Sequence, residues 1–127
     1  MSKDLEKIVA SLELCKLIPA GEFEDTALVW RERIGNISRD NWVKFRAPED
    51  ISYKVESAEV NYFPAPTLAE IRRELRNLSV NVIDGAITVS CRIDPDETLY
   101  EPAGDDNEVT SAALRLWLKL KGIEVKS

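Results

Sequence analysis

Two groups of side chains in this sequence have the types and spacing to do chemistry. The first is acidic: residues 94–108, DPDETLYEPAGDDNE, hold seven carboxylates and no basic residue. Asp94, Asp96 and Glu97, or Asp105, Asp106 and Glu108, would offer the hard oxygen ligands that calcium or magnesium prefers. Their spacing is not that of an EF-hand loop, and prolines limit how the first cluster could wrap an ion. The same acids have a simpler use. Carboxylates just before a helix favour its N-terminal dipole, and Asp105, Asp106 or Asn107 could cap it. The second group is basic and aromatic. If 26–33 and 41–47 are strands with Leu28, Trp30, Val43 and Phe45 inward, period-two alternation sets Arg31, Arg33, Trp42, Lys44 and Arg46 on the opposite face. Guanidinium groups interleaved with an aromatic ring could neutralise phosphates and stack bases.

The remaining composition closes off several chemistries. There is no histidine, which removes the commonest general base and rules out Ser-His-Asp and Cys-His nucleophile systems. Cys15 and Cys91 lie far apart in different predicted elements and complete no zinc set; both are expected to be buried, unreactive thiols. The five glycines never form a phosphate-cradling G-x-G-x-x-G or G-K-[ST] run. Glu13, Glu56 and Glu59 could act as acid and base, but nothing in their spacing brings them together. The sequence therefore assigns no catalytic residue, cofactor or metal. The net charge of −6 is local, because outside 94–108 the chain has 16 acids against 17 bases. Overall acidity and the lack of a nucleic-acid motif disfavour nucleic acid and favour an exposed polar sheet face or a protein contact for the basic strand face.

The elements that must position these groups follow from periodicity. At 127 residues, 44% hydrophobic and 31% charged, the chain reads as one domain, 1–127, able to bury its own core. Its apolar runs are far short of the roughly 20 residues a bilayer crossing needs, and its start lacks a signal-like apolar segment, so the expected setting is the cytoplasm. The organising element is 109–121, VTSAALRLWLKLK. There Val109, Ala112, Ala113, Leu116, Trp117 and Leu120 recur at helical spacing, and Gly122 ends the helix. Leu114 and Leu118 fall off that face. Either the N-terminal helix covers them or a second copy does, and a homodimer would let the acidic segment meet the basic strand face of the other chain.

Residues 3–18 read as the first helix, with Leu5, Ile8, Val9, Leu12 and Cys15 on one face; alternatively Ser11 caps a shorter helix, SLELCKLI. Two strands follow, paired antiparallel through the turn formers Gly35, Asn36, Ser38 and Asp40. Segment 48–66 opens as a loop, with short strands possible at 53–55 and 60–63. Pro64 and Pro66 lead into Thr67-Leu-Ala-Glu70, a capping box that starts a helix with Leu68, Ile71, Leu75 and Leu78 as its stripe and Arg72, Arg73 and Arg76 in water. Residues 80–83 and 86–93 flank Asp84-Gly85, the signature of a type I′ hairpin that pairs Val82 near Ile87. An acidic loop then feeds the last helix. The expected fold is α+β: an antiparallel sheet of four or five strands with three helices mainly on one face.

SLELCKLI (11–18), the strand ending at Trp30, APTLAEI (65–71), the hairpin and SAALRLWLKLKG (111–122) together resemble a group of short, uncharacterised proteins encoded by bacteriophages and prophages. The resemblance spans most of the chain, rests on caps and core positions, and brings no activity or site residue with it. It implies a non-enzymatic phage or prophage accessory protein in the host cytoplasm, acting through contacts with an unidentified protein partner. The alternatives are a nucleic-acid-associated protein using the basic strand face and a small cation-dependent hydrolase.

Overall fold

The computed structural model describes residues 5–19, 21–34, 39–46, 60–105 and 108–125. Three helices and six strands alternate in the order α1 (Leu12–Cys15), β1 (Leu28–Ile34), β2 (Arg39–Phe45), β3 (Val60–Pro64), α2 (Leu68–Glu74), β4 (Leu78–Ile83), β5 (Ala86–Asp94), β6 (Glu97–Ala103) and α3 (Val109–Leu120). The class is α+β, but the strands form two antiparallel three-stranded sheets, β2-β1-β3 and β4-β5-β6, in place of the single sheet of four or five. Two features produce the split. Pro64 and Pro66 end β3 and turn the chain into α2, so β3 never reaches β4. The acidic stretch, expected as loop, contributes β6, with Leu99 opposite Cys91 and Tyr100 opposite Ser90. Its alternating Thr98, Leu99 and Tyr100 suit a pleated strand. The predicted strand at 53–55 and the turn at 35–38 lie outside the described residues.

Helix α3 lies between the layers: it packs on β5 and β6 and also against α1 and α2. Its burial is wider than one stripe, with Ala112, Ala113, Leu114, Leu116 and Leu118 at 0% exposure and Trp117 at 1%. It ends in a Schellman motif, Ile123 N–H donating to Leu118 O at 2.9 Å and Gly122 N–H to Lys119 O at 3.1 Å, with Gly122 at φ +78°, a value that favours glycine. The capping box forms as predicted: Glu70 N–H donates to Thr67 Oγ1, and Thr67 N–H to Glu70 Oε1 at 2.8 Å. Helix α2 stops at Glu74, however, so Leu75 is its C-cap and Leu78 belongs to β4.

The first helix is not continuous over 3–18. Val9 forms an isolated bridge with Thr67. The Ala10 carbonyl accepts both Trp30 Nε1–H and the Cys15 thiol, which takes this stretch out of any helix. The shorter alternative after Ser11 is what forms, although Ser11 makes no side-chain cap; its backbone N–H instead donates to Ser111 Oγ of α3 at 3.0 Å.

The hairpin matches its expectation. Asp84 and Gly85 have φ +54° and +80°, the positive pair a type I′ turn requires, and Val82 pairs with Ile87. One buried cluster joins the two sheets through α3, and Phe23, in the loop before β1, packs at a tilt of 59° against Trp117 with ring centroids 4.8 Å apart.

Candidate functional site

The β1–β2 ladder pairs Arg31 with Trp42 and Arg33 with Asp40, and β3 adds Tyr62 opposite Arg31. The outward face therefore carries Arg31, Arg33, Trp42, Lys44 and Tyr62, the last unforeseen. These groups engage one another. The Arg31 guanidinium sits 4.0 Å over the Trp42 ring, and Lys44 Nζ lies 5.2 Å from the Tyr62 centroid, both within cation–π reach. Arg33 is exposed; Arg31, Trp42, Lys44 and Tyr62 are half-buried. Val29 on the same face is wholly enclosed.

Arg46 leaves the group. Its guanidinium donates to Thr26 O at 2.8 Å, to Thr26 Oγ1 at 2.7 Å and to Phe23 O at 3.4 Å, clamping the loop before β1, which holds buried Phe23 at φ +54°. The inward set is also corrected at one position. Leu28, Trp30 and Val43 are buried, but Phe45 is 68% exposed, because it ends the edge strand β2 while α1 packs toward β3 on the far side of β1.

A polar row that the sequence did not announce lies on the inward face. Glu32 is flanked across the strands by Asn41 and Asn61, is 7% exposed, and forms an ion pair with Lys16 of the α1 C-cap. The Asn41 Oδ1 atom is enclosed without a hydrogen-bond partner among the described residues. No sequence pattern links residue 16 to residue 32; only the fold brings them together. The second sheet has its own inward acid: Glu101 accepts Arg115 Nε at 3.1 Å and Lys119 Nζ at 2.6 Å, so part of the acidic segment is neutralised by α3 within the same chain.

The remaining acids do not converge. Asp94 Oδ1 accepts Asp96 N–H at 2.9 Å in the exposed β5–β6 turn, and Glu108, at the N-cap of α3, turns its carboxylate back to Gly104 N–H at 2.9 Å. Asp106 and Asn107 lie outside the described residues, as do Glu56 and Glu59. Among the described residues no three acidic or cysteine side chains form a cation-sized group. A surface cleft lined by Glu13, Leu14, Leu17 and Glu124 and another lined by Phe23, Asp25, Glu70, Arg73 and Glu74 bring no nucleophile beside a base. In the second, Glu70 is already committed to the cap and to Ala27 N–H at 3.0 Å.

Leu114 and Leu118, expected to be covered by the N-terminal helix or by a second copy, are enclosed by this chain itself. The first helix lies against α3, so the argument for a second copy from these two leucines lapses. Cys15 and Cys91 are buried free thiols. Burial pushes both thiols up, strongly for Cys15 despite the Trp30 N–H nearby, and a thiol held protonated is a poor nucleophile.

What the sequence analysis missed is an edge. Strand β4, LSVNVI, is one of the two outer strands of the second sheet among the described residues and runs into a hairpin tip where Val82 is 67% and Ile83 64% exposed. The signal was present in its lack of any charged residue or proline. Comparison with protein-family models, curated proteins and solved structures finds no match for this chain. No helix among the described residues is long and apolar enough to cross a membrane.

Proposed function

We propose that this chain is a non-enzymatic phage or prophage accessory protein that acts in the host cytoplasm through protein–protein contacts. The observation that carries the reading is the β4 edge and its tip: a strand that no described residue pairs on its outer side, with Val82 and Ile83 mostly in water and closed by a type I′ turn. Open apolar strand edges are what a folded protein hides unless a partner covers them. The phage origin is supported by the resemblance alone, whose segments fall on α1, the start of α2 and α3. The nucleic-acid alternative is weaker on this geometry. Arg31 and Lys44 already lie over Trp42 and Tyr62, so a stacking base would have to displace them, and Arg46 is spent on the loop. The cation-dependent hydrolase has no converging acids to support it among the described residues.

The test is a photo-crosslinking amino acid at position 83, compared with one at position 96 in the exposed β5–β6 turn, in the intact chain inside host cells. Discrete protein adducts from 83 and none from 96 are expected. Equal labelling from both positions, or adducts to nucleic acid, would overturn the reading.

A further inference from the structure

Among the described residues the two sheets have four outer strands, β2, β3, β4 and β6, and three carry the devices that block edge-to-edge pairing. Strand β2 has Lys44; β3 ends on Pro64; β6 has Glu97, Glu101 and Pro102. Strand β4 has none. Its ladder with β5 is closed by a two-residue turn at Ile83↔Ala86, so Ile83, Asn81 and Ser79 exchange hydrogen bonds with β5 while the backbone groups of Val80 and Val82 point away from it. The Leu78 N–H is taken by Leu75 O at 3.3 Å, which limits the open stretch to the residues after it.

We infer that β4 is the seam of a homodimer, pairing antiparallel with β4 of a second copy about a two-fold axis at Asn81 to make one continuous six-stranded sheet. This rests on reading β4 as the contact edge and names the partner. The charges at its ends favour a second copy. Exposed Arg76 lies in the turn before the strand and exposed Asp84 in the turn after it, so an antiparallel copy sets the basic end of each strand against the acidic end of the other. A parallel copy would set like against like. In this register Val80 faces Val82 of the second copy on the helix-bearing side, burying the exposed valine. Asn81 meets Asn81 on the other side, where two amides can each donate and accept. The uncharged interior of β4 also spares the acidic chain any like-charge contact along the seam.

The experiment uses the full chain. Light scattering across a concentration range should give twice the chain mass for wild type, and half of that for Val82→Lys, whose side chain is solvent-exposed in the single chain and whose far-ultraviolet spectrum should be unchanged. Under mild oxidation Asn81→Cys should give a covalent dimer, because the axis sets position 81 against itself at disulfide distance. Ser79→Cys, four residues out of register with its own copy, should not. A monomeric wild type at high concentration, a Val82→Lys dimer, or equal crosslinking from both cysteine variants would overturn the dimer. A monomeric wild type that still gives adducts from position 83 would overturn the second copy alone and leave the contact reading standing.

Discussion

The two sheets bury themselves differently. The β4-β5-β6 sheet places Leu78, Val89, Cys91 and Ala103 under α3 and turns Ser79, Asn81 and Tyr100 to solvent. The β2-β1-β3 sheet encloses side chains on both faces, Trp30 and Val43 on one and Val29 on the other, and admits Glu32 and Asn61 to its interior. A one-sided antiparallel sheet writes its register into the sequence as clean alternation, whereas a sheet covered on both faces erases that signal. The inward acids make the same contrast. Glu101 is held by two cations one helical turn apart, while Glu32 depends on Lys16 alone among the described ion pairs.

Helix α3 and the loop before β1 tie the two sheets together, and the largest expected effect comes from breaking that tie. Trp117 is 1% exposed and packs against the tilted Phe23 ring, so Trp117→Ala should cost about 3–5 kcal/mol. Urea unfolding followed by both tryptophan fluorescence and circular dichroism should remain one coincident transition at a lower midpoint. Two separate transitions would mean that the sheets fold as independent units and that the contrast between them is one of modules.

The next effect compares the inward acids. Lys16→Met should cost about 2 kcal/mol, because it strands the Glu32 carboxylate, only 9% exposed, without its cation. Arg115→Met should cost less than about 1 kcal/mol, since Lys119 still holds Glu101 at 2.6 Å. Chemical denaturation of both variants decides it, and equal costs would mean that Glu32 is compensated by something besides Lys16.

How much of this was legible follows the reach of the rule involved, and not the division between the sheets. The Asp84-Gly85 turn, the Thr67/Glu70 box and the bounds of α3 obey local rules, and each formed where expected. Strand β6 was hidden, because acids and prolines signal loop locally while the neighbouring β5 decides the pairing. The break at Val9 and Ala10, the Lys16–Glu32 pair and the turning inward of Arg46 all depend on partners distant in sequence. Of the basic face, alternation correctly grouped Arg31, Arg33, Trp42 and Lys44; Tyr62 was missed because strand β3 was only loosely placed. The leucines at 114 and 118 called for a second contact beyond one sheet, and periodicity could not say whether α1 or a second copy supplied it; α1 and α2 pack on this helix.

The hairpin sharpens the comparison from the other sheet. Gly85→Val should cost about 1–2 kcal/mol, because a β-branched residue resists a φ of +80°. Nothing crowds the Cβ position itself, so Gly85→Asn, which tolerates positive φ, should recover most of the loss. If asparagine and valine cost the same, backbone conformation is not the cause.

The smallest effect separates the thiols, one on α1 and one on β5. Burial raises both above the ordinary thiol range, with Cys15 raised further and wholly enclosed, its Sγ–H donating to Ala10 O at 3.5 Å. Native-state alkylation at neutral pH should therefore be slow at both and slower at Cys15, with unfolding in denaturant exposing the two together. The sign of the pH dependence follows from the same shift. Above the ordinary thiol pKa of about 8.5 the unfolded chain releases these protons while the native chain keeps them, so the unfolded state binds fewer protons and stability falls as pH rises. Below that value the contribution is fully present and flat. Cys15→Ala should flatten the alkaline limb of a stability-against-pH curve more than Cys91→Ala does. A Cys15 that labels faster than Cys91 would mean that α1 opens more readily than β5, and an alkaline limb unchanged by its removal would mean that the Cys15 thiol does not set the pH dependence.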